Sequence, residues 1–253
     1  MHQSNQFRGI VEGFYGTSFD WLERRAMIDF LAEIGANSYL YAPKEDGYLR
    51  KSWQQSIPQD HFKQLHSFGQ YAQNKGVDFG FGISPFDLHN SFDHRGKEQF
   101  GFKLSQLLEL NPSFIAILFD DMRGDTPRLA EQQIAICHYV KDLAPDIAML
   151  MCPTYYSFDP VLEKVFGLMP HGYLEELGAG LDSGIDIFWT GDKVISESYS
   201  HRHLSTVSQT LQRNVVLWDN YPVNDSKAKS NHLYVTAKER PASLAECTRG
   251  WFM

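Results

Sequence analysis

The sequence predicts a single (β/α)8 barrel domain over residues 1–253. Short apolar strand-like runs alternate with longer helical patterns, eight such runs can be counted, and no linker interrupts them. Strand, helix, strand, repeated, implies parallel pairing with right-handed crossovers. The length of 253 residues suits one closed barrel, and 18 Phe, 12 Tyr and 5 Trp provide apolar mass for its core. The alternative is an open doubly wound sheet, which usually carries a GxGxxG or GxxxxGK(S/T) turn. Neither occurs, and Gly80 and Gly82 make only a GxG inside a strand pattern.

Strands are expected at Arg8–Tyr15, Ser38–Ala42, Asp78–Ile83, Phe114–Phe119, Ala148–Cys152, Asp186–Trp189, Val215–Trp218 and His232–Val235. The fourth is nearly continuous in apolar residues, as a parallel strand buried on both faces should be. Over 129–143, Leu129, Ile136, Val140 and Leu143 fall on one helical face, with Pro127 suited to a first turn and Thr126 or Asp125 to the cap. The crossover after strand seven, Pro222–Asn231, is short and rich in Ser and Lys, so the seventh helix should be short or degenerate. The eighth helix should be truncated, the chain ending about a dozen residues into it. There is no internal repeat and no low-complexity segment.

Charge and cysteine usage narrow the function classes. With 23 Lys and Arg against 31 Asp and Glu the net charge is −8, which disfavours nucleic acid or an anionic membrane as partner. Cys137, Cys152 and Cys247 are widely spaced and odd in number, as in a reducing compartment. The polar start, Met1 to Gln6, lacks the regions of a signal peptide, and no apolar run approaches ~18 residues. A cytoplasmic location is therefore expected.

In a barrel the C-terminal strand ends build the active site. The first two strands lead into Gly13-Phe14-Tyr15-Gly16 and Tyr41-Ala42-Pro43-Lys44-Glu45-Asp46, and the fourth into Phe119-Asp120-Asp121. Strands five to seven lead into Pro153-Thr154-Tyr155-Tyr156, Trp189-Thr190-Gly191 and Trp218-Asp219-Asn220-Tyr221. Aromatic platforms among amides and carboxylates suit a carbohydrate, whose C–H faces pack on rings while its hydroxyls donate and accept.

Asp120-Asp121 is the sharpest pair. Neighbouring strand residues face opposite ways, so the two share a pocket only if the backbone leaves the ladder there. Once together they repel, and one should hold its proton to higher pH and serve as a general acid. Taken alone, a strand-end Asp can simply cap the next helix, Lys44 can sit in a solvated ion pair with Glu45 and Asp46, and Trp218-Asp219-Asn220 with Asn224-Asp225 can be ordinary turn chemistry around Pro222. His201-x-His203, His89 and His94 have no carboxylate at ligand spacing, so no metal is expected. No GxSxG elbow occurs, and Cys137-His138 lies on a helix, which argues against nucleophilic Ser or Cys chemistry.

The motifs Gly9-Ile10-Val11-Glu12-Gly13-Phe14-Tyr15-Gly16, Tyr41-Ala42-Pro43-Lys44, Phe119-Asp120-Asp121, Cys152-Pro153-Thr154, Trp189-Thr190-Gly191 and Leu217 through Asp225 resemble the β-N-acetylglucosaminidase domain of glycoside hydrolase family 84, in register over most of the chain. The resemblance implies a (β/α)8 barrel and retaining hydrolysis without a cofactor. The substrate's own acetamido oxygen would be the nucleophile and an oxazoline the intermediate, a departure from the two-carboxylate scheme. It implies that Asp120 orients the acetamido N–H and that Asp121 is the general acid and base. By the same likeness Gly13, Lys44, Asn220 and Asp225 would contact sugar hydroxyls. Tyr156 would lie near the acetamido group, with Thr190, Val194 and Trp218 lining its pocket. The partner implied is a glycoconjugate or glycoprotein bearing N-acetylglucosamine.

The family also carries an Asn after strand eight, which this chain, ending at Gly250-Trp251-Phe252-Met253, would lack; Tyr234-Val235-Thr236 stands where Gly-Pro-Tyr is usual. One hydroxyl contact and the eighth helix are therefore expected to be absent. That leaves two competing functions, a sugar-binding barrel with little or no turnover and a hyaluronidase. The acidic chain offers the latter's polyanionic substrate little attraction.

Overall fold

The computed structural model describes residues 6–220 and 240–253. Eight parallel strands close into a barrel in chain order: β1 (Phe7–Glu12), β2 (Ser38–Tyr41), β3 (Asp78–Ile83), β4 (Phe114–Leu118), β5 (Ala148–Cys152), β6 (Ile185–Trp189), β7 (Val216–Trp218) and β8 (Gly250–Phe252). The crossovers carry α1 (Trp21–Glu33), α2 (Gln59–Asn74), α3 (His94–Leu108), α4 (Leu129–Leu143), α5 (Val161–Phe166), α6 (Tyr173–Gly180) and α7 (His201–Thr210). Among the described residues no helix is long and apolar enough to cross a membrane.

Seven of the expected strands stand where the pattern put them, to within a few residues. The eighth does not. Strand eight is Gly250–Phe252, while His232–Val235 lies outside the described residues. Phe7 to Gly9 of β1 pair with Gly250 to Phe252, and Val216 to Trp218 of β7 pair with the same three. The stretch expected to form a truncated eighth helix therefore supplies the closing strand, preceded by a 3-10 turn at Ala242–Glu246. Tyr234-Val235-Thr236 likewise lies outside the described residues. The Pro222–Asn231 part of the seventh crossover lies outside the described residues.

Two packing layers follow from the period of two along each strand. Val11, Leu40, Phe114, Ala116, Leu118, Leu150, Phe188, Val216 and Phe252 fill the barrel interior, while Tyr39, Phe79, Ile115, Ile117 and Leu217 face the helices. The lower interior is a ring cluster, with Phe7–Phe114 centroids 5.3 Å apart and Phe188–Phe252 5.5 Å apart. Gly80 makes room for it: a Cβ there would lie 2.3 Å from Phe114 Cε2. The GxG of β3 is thus a packing feature.

Helix starts are set locally. Asp20 caps α1 by accepting from Leu22 and Glu23 N–H, and Glu23 reaches back to Asp20 N–H. The cap expected for α4 is different: Arg128, left-handed at φ 58°, precedes Leu129 and no side chain caps the helix. Leu129, Ile136 and Val140 are buried as the periodicity implied, whereas Leu143 is half exposed. A buried ion pair ties α1 to β1. Arg24 meets both Glu12 oxygens at 2.8–2.9 Å, and Tyr39 OH donates to Glu12 at 2.7 Å, so neither charge is left uncompensated.

Candidate active site

The inward-facing series of each strand leads into the mouth. One step beyond Val11 is Gly13, and beyond Ala42 is Lys44. Beyond Leu118 is Asp120, beyond Phe188 is Thr190, and Val216, Trp218, Asn220 continue the same way. Gly13, Lys44, Asp120, Thr190, Trp218 and Asn220, with Asp121, Tyr156 and Val194, line one cavity of about 200 Å³ at the C-terminal strand ends. That is small beside the ~300–1,000 Å³ of drug-sized sites and suits a single sugar ring. Nine of the ten residues expected from the sequence are thus brought together, and Asp225 lies outside the described residues.

Asp121 breaks the alternation. Its φ is 63°, left-handed and uncommon for Asp, and this turn brings it into the cavity beside Asp120. Lys44 bridges the pair, its Nζ 2.6 Å from Asp120 Oδ2 and 2.8 Å from Asp121 Oδ2. The solvated ion pair with Glu45 and Asp46 is therefore not where this lysine sits. Asp46 instead accepts from Tyr41 OH and the Tyr48 N–H, and lies 2.9 Å from His61 Nε2. Burial alone would pull Lys44 down, but the two carboxylates hold it charged and above its ordinary range.

The pair splits, as repulsion requires. Burial pushes Asp120 up against the attraction of Lys44, with Asp121 adding repulsion. Burial acts upward on Asp121 too, but Lys44, Tyr15 and Arg50 outweigh it and hold this carboxyl below its usual range. The member with the raised value in the free protein is therefore Asp120, whereas the resemblance assigns the acid role to Asp121. The cause is local: the donors crowd onto Asp121 Oδ2, while Asp120 Oδ1 is buried with no hydrogen-bond partner among the described residues.

The walls are held by their own bonds. A Cβ on Gly13 would lie 2.9 Å from the Trp218 ring, so this glycine lets the indole approach. Thr190 N–H donates to Tyr156 O at 3.0 Å, joining the β5 and β6 loops. Asn220 Nδ2 donates to Val194 O at 3.0 Å, and Val194 N–H to Asp159 Oδ2 at 3.2 Å. Burial, with Asp120 next in weight, pushes the Tyr156 hydroxyl far above its ordinary value, so it stays protonated. The two histidines of His201-x-His203 diverge: His201 lies 2.9 Å from Ser243 Oγ, and His203 accepts from Trp189 Nε1–H at 2.9 Å.

Two neighbours of the pair were not singled out by sequence. Tyr15 OH lies 2.5 Å from Asp121 Oδ2, and Arg50, just after a 3-10 turn at Gly47–Leu49, reaches the same oxygen at 3.2 Å. Tyr15 sits inside a quoted motif, but Arg50 lies in a polar loop with no periodic signal.

A one-ring cavity with two carboxylates at the C-terminal mouth of a (β/α)8 barrel is the architecture of a glycoside hydrolase. The chain belongs to the β-N-acetylglucosaminidase family, whose model matches residues 8–253. It is similar to the protein O-GlcNAcases of Rattus norvegicus and Mus musculus, each 29% identical over 231 residues that cover 87% of this chain and 25% of theirs. A mutant of the O-GlcNAc hydrolase of Thermobaculum terrenum has the same fold with a TM-score of 0.86 and 30% identity, over 97% of this chain and 54% of that one. The chain therefore spans about half the length of that structure and a quarter of the mammalian relatives.

Proposed function

We propose that this chain is a retaining exo-β-N-acetylglucosaminidase that removes a terminal β-linked N-acetylglucosamine from a glycoconjugate or glycoprotein. The observation that carries the proposal is the buried Asp120 Oδ1 in the cavity, which has no hydrogen-bond partner among the described residues. A buried acceptor without a donor is costly, and an acetamido N–H is a donor that satisfies it. With that N–H held, the acetamido oxygen attacks the anomeric carbon as the bond to the leaving oxygen breaks. Asp121 gives the leaving oxygen its proton. The resulting oxazoline is opened by water, whose proton returns to Asp121.

Gly13, Lys44, Asn220 and Asp225 take the sugar hydroxyls in this scheme. Asn220 commits its amide nitrogen to Val194 O, which leaves its carbonyl oxygen for the ligand. Thr190, Val194 and Trp218 wall the acetamido pocket, with Tyr156 beside it. A hydroxyl that engages Lys44 draws one donor away from Asp121, whose affinity for a proton then rises. This accounts for an acid that is held ionised before substrate arrives. The one-ring cavity favours removal of terminal residues over cleavage within a polymer such as hyaluronan.

The test is hydrolysis of an aryl N-acetyl-β-glucosaminide followed by NMR of the sugar released. The β-anomer should appear first and mutarotate later. First appearance of the α-anomer would contradict retention, and binding without turnover would favour a sugar-binding barrel.

A further inference from the structure

We infer that Arg50 is a positioning residue for Asp121, fixing which carboxylate oxygen carries the transferable proton. The inference rests on the acid/base role proposed above for Asp121 and extends it to a residue outside the cavity lining.

Three donors converge on one oxygen. Asp121 Oδ2 lies 2.5 Å from Tyr15 OH, 2.8 Å from Lys44 Nζ and 3.2 Å from an Arg50 terminal nitrogen, while among the described residues no donor reaches Oδ1. An oxygen that already accepts three hydrogen bonds has no lone pair left for a proton. Oδ1 is therefore the oxygen that is protonated and that faces the leaving group.

Of the three donors, Lys44 also lines the cavity and bonds to Asp120, so its bond to Asp121 is open to competition from a ligand. Arg50 is placed behind the pair. Its guanidinium carbon lies 5.6 Å from the Tyr15 ring centroid and 5.3 Å from that of Phe86, and the same terminal nitrogen also donates to Tyr15 OH at 3.1 Å. Arg50 thus holds both Asp121 and the tyrosine that shares its oxygen. Its Nε is buried without a partner, so packing between two rings and two bonds from one nitrogen hold the side chain.

The groups facing Asp121 are Asp120 beside it, Lys44 from the β2 loop, Arg50 from the turn after it, and Tyr15 from the β1 loop; Cys152 and Tyr156 lie beyond Asp120. Among the described residues only Lys44 and Arg50 bring positive charge to it, so removing Arg50 takes away one of these two cations that stabilise the Asp121 carboxylate. Without it the carboxyl should hold its proton to higher pH, by about one unit.

The experiment compares the wild-type chain with Arg50→Gln and Arg50→Lys, using the side-chain carboxyl carbon of Asp121 followed by NMR titration and assigned with Asp121→Asn. The midpoint should rise by about one unit in Arg50→Gln and by less in Arg50→Lys, which keeps the charge and loses the fork. With an aryl N-acetyl-β-glucosaminide, the alkaline limb of kcat should move the same way while KM changes little. An unmoved midpoint in a folded variant would overturn the inference, as would a uniform loss of activity at every pH, which is the signature of lost packing alone. The titration needs no turnover, so an inactive wild-type chain would refute the proposed function and still leave the role of Arg50 decided. If Arg50→Gln does not fold, Arg50→Lys decides: a midpoint and an alkaline limb both equal to wild type contradict the inference.

Discussion

At Asp121 a left-handed φ of 63° turns a residue of the wrong strand parity into the cavity, where Lys44, Tyr15 and Arg50 meet its Oδ2. Proton delivery matters most when the leaving group is poor. Asp121→Asn should therefore lower kcat/KM by roughly 10²–10⁴ for an alkyl or peptide aglycone and far less for a nitrophenyl one. A matched series of leaving groups checks this, and equal losses across it would refute the acid assignment. The residues that line the cavity were legible through the family resemblance of their motifs, and the structure supplies the reason they converge: the alternation that fills the barrel continues one step past the last ladder residue into Gly13, Lys44, Asp120, Thr190 and Asn220. Which carboxyl holds its proton more tightly in the free protein was not legible, since it depends on the burial of Asp120 and on the donors Lys44, Tyr15 and Arg50 that crowd onto Asp121, of which Arg50 is distant in sequence and carries no periodic signal. Tyr15 entered only as part of a motif.

The loop after β6 shows what an element contributes. It carries Thr190 and Val194 to the cavity and is anchored on α7 through His203, whose Nδ1 lies 2.5 Å from Asp192 Oδ1 and whose Nε2 accepts from Trp189. Burial depresses His203 despite the pull of Asp192. A histidine depressed in the folded state takes up its proton more readily when unfolded, so its contribution to stability is complete above ~6.5 and lost as pH falls below that. The thermal midpoint should drop between pH 7 and 5.5, and His203→Gln should flatten that part of the drop; calorimetry across the range checks the slope. Seven strands were readable because each is a run of four to six apolar residues or ends in a distinctive polar motif. Strand eight was misplaced because a three-residue strand, Gly250–Phe252, is too short for a pattern, while His-Leu-Tyr-Val at 232–235 has the composition of one. The cap of α4 was missed for a related reason: Arg128 in a left-handed conformation sends no signal in composition.

For the whole molecule the late position of β8 changes the account of the fold. Closure joins residues more than two hundred positions apart, Val11 N–H donating to Met253 O at 2.8 Å, while on the other side of β8 Asp219 N–H donates to Phe252 O at 2.7 Å. Phe252 is fully buried between Phe114 and Phe188. Phe252→Ala should cost about 3–5 kcal/mol and lower activity with stability, which denaturant unfolding and an activity assay at one temperature would show together. The same closure places Met253 on the wall of the cavity, beside the end of β8.

In the proposed mechanism the substrate's acetamido oxygen, oriented by Asp120, is the nucleophile. That role is tested most directly by kcat/KM for aryl β-glucosaminides whose N-acetyl group carries none, one, two or three fluorines. Fluorine weakens that oxygen as a nucleophile and leaves the leaving group unchanged, so the rate should fall steeply with each fluorine. A rate that is flat across the series would contradict the account and point to a protein carboxylate or water as the nucleophile.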